Sequence, residues 1–185
     1  MSSFSDSPEG LQVASPGDSL SHSSTSDRAS EQSKTLFSVA VDLLSRREHS
    51  CHELRQKLAA KFSETDGADI EATLLYLQEL NYLSDRRFAE VFARSRLQRG
   101  QGPLRIRREL LQRGVGNDLV AGALEQLDAD WFALAAELLQ RKFREPIAPA
   151  LSREQQFKER ARRQRYLAYR GFPADAISWA LETDY

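Results

Sequence analysis

A single cysteine, Cys51, is all the thiol chemistry in this 185-residue chain. No intramolecular disulfide can form, so packing must hold the fold, and such cysteine usage suits a reducing cytosol. No stretch approaches the ~18 apolar residues that a bilayer-spanning helix needs. No basic start followed by an apolar run opens the chain, so no secretory signal is expected. No segment alternates apolar and polar residues strictly, so no sheet is expected. Catalytic spacings are missing as well. Gly100-Gln101-Gly102-Pro103 has no following Lys-Ser/Thr and no preceding strand, so it is not a phosphate-binding loop. There is no HExxH, no nucleophile elbow and no paired-carboxylate setting. His49 and His52 find no further ligand to complete a metal site, and both are expected at the surface near a helix start. Cys51 falls in a first helical turn, where the dipole could favour a thiolate, but an unremarkable first-turn residue is the better reading. Together these absences exclude a membrane-spanning protein. They point away from an enzyme, a metal centre or a cofactor site, and toward a soluble, cytoplasmic binding protein.

What the chain does have is a pattern that appears three times. A basic helical segment ends in Leu, then Lys or Arg, often Gly, then an apolar residue. The copies are Leu58-Ala59-Ala60-Lys61-Phe62, Leu110-Leu111-Gln112-Arg113-Gly114-Val115 and Leu167-Ala168-Tyr169-Arg170-Gly171-Phe172. An acidic segment follows each, with apolar pairs four apart: Ile70 and Leu74, Val120 and Leu124, Ile177 and Leu181. Self-similarity at this period describes a tandem array of helical units, whose long surface suits polymers better than small substrates.

The expected fold is all-α: an elongated or curved array of three three-helix repeats behind a disordered tail. Residues 1–33 are rich in Ser and poor in large apolar groups, so they cannot offset chain entropy. Repeat one spans 34–84, repeat two 85–128 and repeat three 129–185, with ordered structure beginning near Ser33–Leu36. Expected inward positions include Phe37, Ala40, Val41 and Leu44; Leu54, Leu58 and Phe62; Ile70, Leu74, Leu77 and Leu80; and Phe88, Val91, Phe92 and Ser95. Ser50-Cys51-His52-Glu53 and Ser152-Arg153-Glu154-Gln155 read as capping boxes. Asp69, Asp85 and Asn117 are further expected caps, Pro103 suits a first helical position, and Gly114 and Gly171 are stops. The aromatics Trp131, Trp179, Phe88, Phe92 and Phe172 fit a core better than a base-stacking platform.

Charge is segregated along the chain. Residues 86–113 hold nine Arg against Glu90 and Glu109, and residues 141–170 hold ten Lys/Arg against three Glu. Residues 63–85 and 114–140 hold six and five acids respectively, with no Lys or Arg. The candidate binding residues are Arg94, Arg96, Arg99, Arg105, Arg107, Arg108 and Arg113, with Lys158, Arg160, Arg162, Arg163 and Arg165. A guanidinium fork grips phosphate or carboxylate at two points, which suits nucleic acid or an acidic protein surface. A solvated helix exterior balanced by acidic neighbours is the competing account.

Several of these segments resemble the RecX family of regulatory proteins. The central match is Asn81-Tyr82-Leu83-Ser84-Asp85-Arg86-Arg87-Phe88-Ala89, then Gly100-Gln101-Gly102-Pro103, Ile106, Glu109-Leu110 and Arg113-Gly114-Val115. Leu43-Leu44-Ser45-Arg46-Arg47, Ser50-Cys51-His52-Glu53-Leu54 and Tyr166-Leu167-Ala168-Tyr169-Arg170-Gly171-Phe172 extend the likeness over roughly residues 36–182. The first repeat departs from the pattern: no Gly precedes Phe62, and extra residues separate Phe62 from Ile70. The resemblance implies a non-enzymatic, monomeric modulator of the RecA recombinase. It would bind RecA filaments on single- or double-stranded DNA and limit their growth or ATP turnover in recombination and repair. A stand-alone DNA-binding helical protein and a helical adaptor for another partner are the alternatives.

Overall fold

A computed structural model describes residues 23–183, with side chains from Thr35 onward. Among the described residues there are nine helices and no strand. They are α1 (Ser23–Arg46), α2 (Cys51–Lys61), α3 (Gly67–Glu79), α4 (Asp85–Gln98), α5 (Pro103–Gln112), α6 (Asn117–Glu125), α7 (Trp131–Phe143), α8 (Arg153–Arg170) and α9 (Ala174–Glu182). Close helix pairing stays within three consecutive sets, α1–α3, α4–α6 and α7–α9.

Each set closes on its own core. Leu36, Ala40, Leu54, Leu58, Ile70, Leu74, Leu77 and Leu83 form the first. Phe88, Ala89, Ala93, Ile106, Leu110, Val115, Val120 and Ala123 form the second. Leu138, Leu139, Leu167, Phe172, Ile177 and Leu181 centre the third. Burying each large apolar side chain contributes about 1.5–3 kcal/mol, yet a unit this small hides too little surface to be secure alone. Neighbouring units supply the rest. Trp131 packs against both the second and third cores.

The joints between units join the middle helices end to end. At the first joint Arg113, the last residue of the α5 turn, offers its carbonyl to Ser50 Oγ at the start of α2, 2.7 Å away. At the second, the amides of Gly102 and Leu104 at the start of α5 donate to the carbonyls of Arg170 and Gly171 at the end of α8, at 2.8 and 3.0 Å. Carbonyls left unpaired by one helix end thus meet donors at the start of the next, with both dipoles aligned. The chain of contacts runs α8, α5, α2. Gly171 turns left-handed at φ 90°, and a Cβ there would lie 2.3 Å from Arg105 Cβ. A Cβ on Gly102 would meet the Gly171 carbonyl oxygen at 2.4 Å, and one on Gly114 would meet His52 Cβ at 2.5 Å. These glycines exist for close approach.

The two outer ends explain the irregular repeats. No middle helix follows α2, so the end of α2 needs no glycine: Phe62 caps it with ordinary φ −121°. No middle helix abuts the start of α8 either, and Ser152 and Gln155 close a complete capping box on themselves there.

Several local expectations need correction. Helix α1 begins at Ser23, upstream of the expected boundary, because adding turns to an existing helix is easy once it is nucleated; residues 1–22 of the expected tail lie outside the described residues. Asp66, not Asp69, caps α3 by accepting from the Ala68 amide. Ser84 caps α4, so Asp85 is its first residue and instead accepts from the Cys51 amide at 2.8 Å. Gly116 precedes α6, and Asn117 is its first residue. Ser50 accepts from the Glu53 amide, but the Glu53 side chain does not reach back, being held by Arg47 and Arg113. Leu80 and Val91 face solvent, and Leu83, Ala89 and Ala93 take the inward positions. His49 is buried, not exposed.

Candidate functional site

Charge sorts by helix position. The middle helices are basic: α5 has Arg105, Arg107 and Arg108 against Glu109, and α8 has seven Arg/Lys against Glu154 and Glu159. Helix α2 has Arg55, Lys57 and Lys61 against Glu53. The third helix of every unit is purely acidic: Asp69, Glu71 and Glu79 in α3, Asp118 and Glu125 in α6, Asp175 and Glu182 in α9. Because the middle helices run end to end, their cations form one long row.

The twelve candidate cations do not all share that row's outer face. Glu109 gathers two of them: Arg105 Nε and Arg96 Nε each lie 2.9 Å from its oxygens. The Arg105 contact is an aligned hydrogen bond; the Arg96 contact is ionic only. Partial burial pushes the Glu109 carboxyl up, but the Arg105 hydrogen bond and the charges of Arg96, Arg105 and Arg113 outweigh it, leaving it below the usual carboxylate value. Arg105 also packs over the Tyr169 ring and raises contacts across the α8–α5 joint. Arg113 reaches Glu53 across the α5–α2 joint at 3.1 Å, and both Arg96 and Arg113 lie over the Phe92 ring. Arg163 is buried, donates to the Glu145 carbonyl at 2.7 Å and covers Phe143; desolvation lowers its pKa. Arg96, Arg105, Arg113 and Arg163 therefore bind the molecule to itself. Arg96, Arg105 and Arg113 are answered by Glu109 and Glu53.

The others face outward. Arg94, Arg99, Arg107, Arg108 and Arg165 are exposed. Arg107 touches only Asn117 Oδ1, at 3.3 Å, among its polar contacts. Lys158 and Arg162 are exposed but paired with Glu154 and Glu159, and Arg160 is half-buried. Arg107 and Arg108 flank a shallow depression with Leu104, Leu111 and Gln112. Leu104 is 55% and Leu111 39% exposed, so α5 presents an apolar strip edged by two guanidiniums. The i, i+3, i+4, i+7 spacing of Leu104, Arg107, Arg108 and Leu111 was visible in the sequence; their outward direction was not, because Ile106 and Leu110 compete for the same period.

Cys51, near the first joint, is held as the unreactive thiol. Burial, and then the nearby Asp85 carboxylate, push the Cys51 thiol up to about 11, the reverse of the dipole effect. Among the described residues no group of three potential metal ligands occurs, and no helix is long and apolar enough to cross a membrane.

Three three-helix units with a row of basic middle helices define a helical-repeat protein. Three family models match in register: the first RecX three-helix domain over residues 37–77, the second over 84–124 and the third over 128–181. The chain belongs to the RecX family. It is 41% identical over 152 residues to the regulatory protein RecX of Vibrio parahaemolyticus serotype O3:K6 (strain RIMD 2210633), covering 81% of this chain and 93% of that one. Against the RecX of Escherichia coli (strain SE11) it is 38% identical over 150 residues, with 77% and 87% covered. These relatives are named as regulatory proteins, not as enzymes. In fold it is similar to a crystal structure of a regulatory protein RecX, with TM-score 0.68 and 22% identity over 90% of this chain and 80% of that one. A crystal structure of RecX from Lactobacillus salivarius gives TM-score 0.65 and 20% identity, covering 83% and 97%.

Proposed function

We propose that this chain is a cytoplasmic, monomeric regulator that binds RecA filaments on DNA and restrains their growth and ATP turnover. Family membership supports the partner. The observation that carries the physical part is the end-to-end row of basic middle helices, with Arg107, Arg108 and Arg165 turned to solvent on it and Arg94 and Arg99 exposed along α4 and at its end. A long, polyanionic filament is the complement of such a row. The acidic third helices offer a separate surface for basic protein groups. Regulation requires tighter binding to one filament state than to another, since equal affinity shifts nothing.

The test is to add the full chain to RecA on single-stranded DNA and follow ATP turnover and filament length. Both should fall. No change at several-fold excess would refute the proposal. A salt titration on bare and on RecA-coated DNA apportions the contacts: six phosphates neutralised directly give a slope of log K near about −5. A shallower slope on filaments assigns most of the binding to RecA itself, and strong binding to bare DNA with no effect on RecA favours a stand-alone DNA-binding protein.

A further inference from the structure

Unit three breaks the repeat in one place. Helix α8 has 18 residues where α2 has 11 and α5 has 10, and the connection before it runs from Arg144 to Ser152. The extra turns at the start of α8 and this loop line a pocket of about 480 Å³. Pro146, Ile147 and Pro149 form one wall. Arg153, Gln156, Phe157 and Arg160 form the other, at helical positions i, i+3, i+4 and i+7, so all four lie on one face of α8.

The walls are fixed by hydrogen bonds. Gln156 Nε2 donates to the carbonyls of Pro149 and Leu151, at 3.2 and 3.0 Å. One face further along, the buried Arg163 donates to the Glu145 carbonyl at 2.7 Å, tying down the start of the loop. Yet Phe157 is 72% exposed, far more than a core or joint residue, and belongs to none of the three cores. None of the residues lining the pocket is a carboxylate. Thus an open aromatic face sits on a preformed apolar floor, with a guanidinium one turn to either side.

We infer that this pocket is a single-strand subsite, in which one unpaired nucleobase stacks on Phe157 while Arg153 and Arg160 hold the flanking phosphates. A base is flat, apolar on its faces and attached to anions on both sides, which is the chemistry the pocket presents. Along α8 the backbones of the two arginines are about 10 Å apart, and their long side chains can converge on the phosphates either side of one nucleotide. Duplex DNA keeps its bases stacked, so the site selects single strands. The subsite extends the DNA contact proposed above, but it operates on bare single strands and can be tested without RecA.

The experiment uses the full chain and a thymidine 20-mer. Affinity is read by fluorescence anisotropy, and a copy carrying 5-iodouracil is photo-crosslinked and mapped by peptide mass spectrometry. The crosslink should fall on Phe157. Phe157→Ala should weaken binding roughly tenfold, Phe157→Leu nearly as much, and Phe157→Trp should preserve it. Phe157 is exposed, so helix content should stay unchanged in all three. Wild-type affinity in Phe157→Ala, or a crosslink only elsewhere, overturns the subsite and leaves the RecA reading intact. Loss of RecA-filament binding in Phe157→Ala with unchanged oligonucleotide binding would give the pocket to an apolar protein side chain and also overturn it. Failure of the wild-type chain to bind the oligonucleotide overturns it too, while inhibition of RecA would still stand.

Discussion

Glu109 and Glu53 each hold two guanidiniums, and those pairs decide what individual arginines are for. Arg105 pairs with Glu109 one turn along α5 and beside the α8–α5 joint, so Arg105→Glu sets two carboxylates together and should cost roughly 1–3 kcal/mol in a urea unfolding experiment. Arg108→Glu on the exposed face should change stability by less than about 0.5 kcal/mol. His49 carries a pH dependence. Its Nε2 lies 3.1 Å from the Lys57 ammonium, which only donates, so Nε2 accepts and the ring proton is on Nδ1, facing the Arg47 carbonyl at 3.0 Å. Burial lowers its pKa from 6.5, the unfolded-like value, so the unfolded chain binds the proton first. Stability should be full above that value and decline as pH falls below it toward the lower folded pKa. Thermal unfolding at about pH 7.5 and 5.5 should show the decline, and His49→Gln should flatten it. Cys51 should react with a disulfide reagent at about pH 8 at least tenfold more slowly than a free thiol, given its pKa of about 11. Labelling at the free-thiol rate would contradict its half-buried setting beside Asp85. The sequence displayed which residues were cationic, but not which were already answered by a carboxylate. Glu53 meets Arg113 sixty positions away in the chain, and no local pattern encodes that.

Elements were far more legible, because their boundaries depend on neighbours in sequence. Pro103 at the first position of α5, Asp130 capping α7, the Ser152 box and the left-handed Gly171 all follow from short-range chemistry. The cap errors were short shifts toward the N-terminus, Asp66 for Asp69, Ser84 for Asp85 and Gly116 for Asn117. What could not be read was why repeat one omits its glycine; that depends on which helix end is unattached. The joints supply a paired prediction. Gly171→Ala places a methyl against Arg105 in a left-handed turn and should destabilise by at least about 1–3 kcal/mol. Gly122→Ala, within α6 with nothing within 4 Å, should stabilise by roughly 0.5–1 kcal/mol. Equal effects in denaturant melts would refute the end-to-end joint.

At the scale of the whole molecule, the array was legible from its period, and the segregation of charge from composition by segment. The structure adds that the basic segments are consecutive in space as well as alike in sequence, since each ends where another begins. The overhanging start of α8, with Phe157, was hidden because its residues read as an ordinary basic helix. The central claim is that the outward cations of this row grip the anionic filament. The most direct measurement is the affinity of the full chain and of the double variant Arg107→Glu/Arg108→Glu for RecA filaments on single-stranded DNA, at one salt concentration and with helix content checked. The account predicts unchanged helix content and binding weakened at least about tenfold, as expected when two phosphate- or carboxylate-gripping guanidiniums are reversed. Wild-type affinity in the double variant would contradict it.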